Sequence, residues 1–160
     1  MADGADFANF TASMRGMSLS HIWRGHGSAI FLEFGVLMPV SRRKGAAGNP
    51  IGEFSLMVEW SWRLEGAQVI VCGSWSDEAL WPESFATLYG TTVLDVALFG
   101  QIPEICVHLS NQSRVVSFAT REGDPAWTLF DNRQPVRRWL AIAGGKLRLE
   151  QGERPGRLHA

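Results

Sequence analysis

Between residues 54 and 64 the chain alternates. Phe54, Leu56, Val58, Trp60, Trp62 and Leu64 are apolar, and most of the positions between them are polar: Ser55, Glu59, Ser61, Arg63. Successive side chains on a strand point to opposite faces. The pattern therefore predicts one extended segment with a single buried row that includes both Trp60 and Trp62. Residues 54–64 in extended form would reach about 36 Å, which is long for a strand. Glu65-Gly66 then offers a turn into a second strand, Val69 to Cys72.

The flanking chain continues in the same style. Residues 4–15 predict a short helix, with Phe7, Phe10 and Met14 on one stripe and Gly16 at its exit. Residues 19–26 predict a short strand and 28–39 a long one, with Ile30, Leu32, Phe34, Val36 and Met38 on one face. Phe31, Glu33 and Leu37 share the other face, as in a central strand covered on both sides. The segment 41–52, SRRKGAAGNPIG, carries Gly, Pro, Asn and a basic triplet and predicts a long hairpin loop. Within 74–90, Pro82, Glu83 and Gly90 mark a second short helix with Phe85, Leu88 and Tyr89 on one face. Strands follow at 92–99, 104–109, 114–120 and 126–130, and a last pair at 136–140 and 146–150 bends at Gly144-Gly145. Hairpins that are local in sequence, with no βαβ rhythm, predict a mainly β (α+β) protein. The expected architecture is an antiparallel β sandwich or open barrel with two short capping helices, one domain over 1–150, and a frayed basic tail over 151–160.

Composition sharpens this in two ways. Seven Trp and nine Phe in 160 residues are a heavy aromatic load, suited to strands, cores and interfaces. Net charge is −1, yet 7 of the 15 Lys and Arg fall within the last 28 residues. That tail leaves an acidic body, which disfavours nucleic acid as a partner; the cluster of Trp139 beside Arg137 and Arg138 is the exception. Cys72 and Cys106 have no CxxC or CxxH spacing and read as small hydrophobes in strands. The opening MADGADFANF lacks the basic and apolar regions of a signal peptide, and no run is long enough for a membrane span. The expectation is a soluble cytoplasmic protein with no membrane partner and no cofactor.

Candidate chemistry falls in two places. Glu104, Cys106 and His108 alternate along one strand face, and all three residue types ligate metals. His21, Arg24 and His26 precede the strand that carries Glu33, and Glu59 and Arg63 lie on its expected hairpin partner. Pairing of those strands would bring Glu33, Glu59 and Arg63 toward one surface, where a ligand or general acid–base chemistry is conceivable. An ordinary salt-bridged sheet face has the same composition. Asp95 interrupts an apolar strand and is expected at an edge or rim. No GxSxG, HExxH, Walker or GxGxxG motif occurs, so no residue is assigned as catalytic.

The runs Leu88-Tyr89-Gly90-Thr91-Thr92-Val93, Glu104 to Leu109, Asn111 to Phe118 and Trp127-Thr128-Leu129 follow a layout of L-x-G, apolar strand, turn, x-F and W-x-L. This third of the chain resembles small bacterial mainly β proteins of a domain of unknown function, some of them regarded as immunity-like partners of toxins. Its turn, Asn-Gln-Ser, departs from the Asp-Gly or Asn-Gly common there. The resemblance implies a β fold and binding in preference to catalysis. Together with the Arg and Trp content, it points to a non-enzymatic protein-binding module, immunity-like or self-associating as a homodimer. The alternative is a small-ligand or metal-binding β protein, or an enzyme built on the same residues. A weak nucleic-acid binder acting through the basic tail is a third reading.

Overall fold

The computed structural model describes residues 3–42 and 45–153. Arg43 and Lys44 of the basic triplet, and the tail from Arg154, lie outside the described residues. The strands are β1 (Leu19–Arg24), β2 (Ile30–Phe34), β3 (Phe54–Val58), β4 (Trp62–Glu65), β5 (Ile70–Gly73), β6 (Val93–Phe99), β7 (Glu104–Leu109), β8 (Arg114–Ser117), β9 (Trp127–Asp131), β10 (Val136–Ala143) and β11 (Lys146–Glu153). They form two sheets, ordered β1-β2-β3-β9-β10-β11 and β5-β4-β8-β7-β6. All neighbours are antiparallel. The inner faces of the sheets share one core. Leu32, Leu56, Leu129 and Leu140 lie in register across the first sheet, and Leu64, Val115 and Val107 across the second. This is the expected antiparallel β sandwich.

Two short helices close the open sides. Helix α1 (Gly4–Thr11) is started by Asp3, whose carboxylate accepts from the Ala5 and Asp6 amides, while Asp6 returns a bond to the Asp3 amide. That reciprocal cap satisfies amides that have no partner within the helix. A 3₁₀ turn extends the stripe through Met14, and Gly16, at φ +83°, ends it. Phe7, Phe10 and Met14 are buried, with Phe10 edge-on to Phe54 at 5.9 Å. Helix α2 (Trp81–Ala86) starts on Pro82 and buries Trp81 and Phe85 against Trp62. Leu88 is buried as expected, but Tyr89 is 44% exposed. Its hydroxyl reaches instead to the β1 edge and donates to the Ile22 carbonyl at 3.1 Å.

The 54–64 segment is not one strand. It breaks at Glu59–Ser61, and β3 and β4 belong to different sheets. Trp60 takes φ +66° and is 56% exposed, whereas Trp62 is buried. The buried row is interrupted at Trp60 and resumes at Trp62 and Leu64, because both sheets point their apolar rows at the same interior. The corner is held by Ser28, whose hydroxyl donates to the Trp60 carbonyl at 2.9 Å and whose carbonyl accepts from Trp62 Nε1 at 2.7 Å. The chain returns to the first sheet between β8 and β9, directly beside this corner. The Glu59 amide donates to the Ala126 carbonyl and the Phe118 amide to the Ser61 carbonyl, at 2.8 and 3.1 Å. The two crossings thus form one hydrogen-bonded unit, with the Arg121 guanidinium over the Trp60 ring.

Three other expectations change. Strand β2 stops at Phe34, because Gly35 turns at φ +82° and the Glu53 carboxylate caps the Val36 amide; Val36 is left 72% exposed. Isolated bridges pair Met38 with Ile51 and Ser41 with Ala47, and Glu33, expected on an open surface, is 1% exposed. At the other end β11 runs through Glu153, with Gln151 opposite Arg138, so pairing extends past residue 150.

Candidate binding surfaces beside the double crossing

The six nominated ligand residues separate into four environments. His21 faces Glu33 across β1 and β2, and its ring lies 3.1 Å from the Asn49 side-chain oxygen and stacks beside Tyr89. Arg24 forms a bidentate pair with Glu78 at 2.7 and 2.8 Å and covers the Trp81 ring. Arg63 is on the five-stranded sheet, paired with Glu65 at 2.7 Å. The crossing at Trp60 therefore separates Arg63 from Glu33 and Glu59, and those three do not share a surface. His26 and Glu59 do share a site: both line a groove of about 330 Å³ together with Trp60, Phe31 and Met57.

Glu33 belongs to a buried chain of hydrogen bonds. Arg137 Nε donates to Asn132 at 2.8 Å, the Asn132 amide donates to Ser55 Oγ at 2.8 Å, and that hydroxyl donates to the Glu33 carboxylate at 2.5 Å. Burial pushes the Glu33 carboxyl up to about 7, against the Ser55 bond, the Arg137 charge and the Gly52 backbone. Ser55 is buried as well, so this serine–carboxylate pair is closed to a substrate and serves as internal polar satisfaction. Asp131 behaves oppositely. Burial would raise it, but bonds from Arg133 and Arg138 at 2.8–2.9 Å outweigh this and hold it at about 2.

The Glu104, Cys106, His108 strand face does not assemble a metal site. Glu104 is occupied by the Ser117 hydroxyl and the Ala119 amide. Among the described residues no group of three His, Cys, Asp or Glu is placed to hold an ion. Burial raises the Cys106 and Cys72 thiols, which disfavours the reactive thiolate. Asp95 is at the rim, paired with Arg15 at 3.0 Å.

A second groove, of about 360 Å³, opens on the other side of the crossing, on the outer face of the five-stranded sheet. Ser61 and Arg63 line it with Ile70, Gly73, Trp75 and Phe118. Trp75 is 89% exposed, and Phe118 and Ile70 are more than half exposed. None of these three was singled out from sequence. The available signal was Trp75 itself, a large aromatic set among Gly73, Ser74, Ser76 and Asp77, where turn residues leave it no core to enter. Arg63 and Glu65 neutralise each other at its edge. Among the described residues no helix is long and apolar enough to cross a membrane. No family model, no curated protein and no solved structure matches the chain.

Proposed function

We propose that this protein is a non-enzymatic protein-binding module and that it binds through the groove bounded by Trp75, Phe118 and Ile70. The observation that carries the reading is Trp75, 89% exposed beside two further apolar side chains and an arginine. Contiguous exposed apolar surface marks interaction sites, and Trp and Arg dominate the energy of protein contacts. The resemblance to immunity-like proteins adds a folded protein as the class of partner.

The test is a photo-reactive benzoylphenylalanine in place of Trp75, irradiated in cells, with Lys146 on the opposite sheet as the control position. Adducts with a partner protein at 75 and none with that partner at 146 are expected. Absence of any adduct at 75 would remove the basis for the reading. A second reading, a small ligand in the groove of His26 and Glu59, is favoured by Trp60. A bulky residue at φ +66° is rare, and such outliers collect at functional sites. Tryptophan fluorescence of the Trp60→Ala variant against wild type, titrated with a library of small aromatic and cationic compounds, checks it; no saturable change in the wild type rejects it.

A further inference from the structure

We infer that this chain pairs with a second copy of itself along the edge strand β11, in a two-fold antiparallel contact centred on Leu149. The contact is a sheet edge, separate from the Trp75 groove. Strand β11 runs eight residues, Lys146–Glu153, without a bulge or a proline, and among the described residues only its β10 side is paired. Such an edge is a template for another strand unless something covers it. The other three edges are partly covered or short. On β1 the Leu19 amide and carbonyl bond to Thr91 and Gly90, and the Tyr89 hydroxyl takes the Ile22 carbonyl. On β6 the Val93 amide and carbonyl bond to Met17 and Gly16, and the ladder shifts register before Asp95. On β5, four residues long, Gly73 is engaged by Ser76 and Trp81.

Which backbone groups β11 turns outward follows from its hairpin. Gly144 and Gly145, at φ +60° and +75°, make a two-residue turn whose closing pair, Ala143 and Lys146, exchanges hydrogen bonds. Bonded and unbonded pairs alternate from there. Lys146, Arg148, Glu150 and Gly152 therefore turn their backbone groups to β10, and Leu147, Leu149 and Gln151 turn theirs outward. Side chains alternate between the sheet faces. Leu147 enters the core and Leu149 follows it on that face, 43% exposed, while Lys146, Arg148 and Glu150 project from the outer face. Among the described residues none of these three charges is in an ion pair.

The order of the charges selects the occupant. Bases fill the first half of the outer row and an acid the second, so an antiparallel copy meets the row with its signs reversed. With the axis at Leu149, that residue's outward amide and carbonyl bond their own counterparts. Leu147 bonds the partner's Gln151 and Gln151 bonds the partner's Leu147, about six bonds in all. Arg148 and Glu150 stand opposite the partner's Glu150 and the partner's Arg148, in the unbonded pairs where side chains come closest, and Leu149 is shielded by its own copy. An axis at residue 148 would set Arg148 against Arg148, and one at residue 150 would set Glu150 against Glu150. Like charges in direct opposition are destabilising. A partner strand of a single sign is repelled by one half of this row, whereas the chain's own edge suits both halves. A strand-edge contact buries less than the roughly 800 Å² per partner of a stable complex, so the dimer is reversible and depends on concentration.

Sedimentation velocity of the full chain at low salt, from low micromolar to several hundred micromolar, tests this. Wild type should move from the 17.7 kDa monomer toward twice that mass. Arg148→Glu and Glu150→Arg each create two like-charge oppositions and should weaken dimerisation by about tenfold or more; the double variant should recover it. Leu149→Pro removes an outward amide that β10 does not use, so it should abolish the dimer with far-UV circular dichroism unchanged. Should that variant disturb the fold, the charge swap decides alone. Trp75→Ala should dimerise as wild type. Wild type that stays monomeric throughout, a double variant no better than the single ones, a folded Leu149→Pro that still dimerises, or a dimer lost in Trp75→Ala would each overturn the inference. Photo-adducts at position 75 are read separately: their absence removes the groove reading and leaves this dimer standing, and a monomeric wild type leaves the groove reading standing.

Discussion

Two carboxylates carry opposite instructions for pH. Glu33 has a folded pKa of about 7 against an ordinary 4.5, so the native state binds its proton more tightly than the unfolded state does. Its stabilising contribution is complete below pH 4.5 and is lost as pH rises through 7. Glu33→Gln, uncharged and nearly isosteric, should flatten that slope and raise stability at pH 8 by about 2–3 kcal/mol. Urea denaturation at pH 5 and pH 8 checks this, and equal pH slopes in variant and wild type would refute the buried-charge account. Asp131, held at about 2 by two arginines, is the depressed case. Its contribution is present above pH 4 and is lost as pH falls through 2. Asp131→Asn should cost about 2 kcal/mol at pH 7 and much less near pH 2, read by the same denaturation series. Neither role was legible in sequence. Glu33 sits on an alternating strand like any solvent-facing acid, and only its tertiary neighbours, Ser55, Arg137 and the Gly52 backbone among them, enclose it.

At the scale of elements, the strands and helices were mostly readable because each has local causes. The helix caps at Asp3 and Gly16, the Pro82 start and the Gly144-Gly145 bend behave as their residue types require. Even the Asn-Gln-Ser turn works, with Gln112 at φ +67° in the place a glycine would take and Asn111 accepting from the Ser113 amide. Contacts between elements were less readable. Gly52 packs so closely on β2 that a Cβ there would meet the Phe34 amide nitrogen at 2.6 Å. Gly52→Ala should push the returning arm off the sheet and cost more than about 2 kcal/mol, in the range seen for overpacking. Thermal unfolding measures it, and an unchanged midpoint would mean that the arm moves freely. Trp62, packed on Trp81 at 5.0 Å, joins β4 to α2. Trp62→Ala should cost about 3–5 kcal/mol, checked by the same melts.

For the whole molecule, the chain lays three strands in one sheet, five in the other and three more in the first, and closes the circuit by pairing β3 with β9. Neither sheet has a private core, since the buried cluster draws on both. The sandwich should therefore unfold in one step. Near-UV signals from buried Trp62 and Trp127 and far-UV signals from the strands should give superimposable denaturation curves. Separated midpoints would show that one sheet survives the loss of the other. The double crossing that joins the sheets also sets the two grooves apart, with Trp60 walling one and Ser61 the other.

The sequence by itself determined the period of each strand, the positions of most turns and caps, and the row of Phe54, Leu56, Val58, Trp62 and Leu64 that is buried. These depend on a residue and its near neighbours, which are written along the chain. The tertiary structure alone decided that one alternating run would serve two sheets, that Glu33 would be enclosed while Trp60 and Trp75 were not, and that His26 and Glu59 would share a groove without Arg63. Alternation records which way a side chain faces, and carries no information about which layer its backbone joins; that choice belongs to hydrogen bonds between segments distant in the chain.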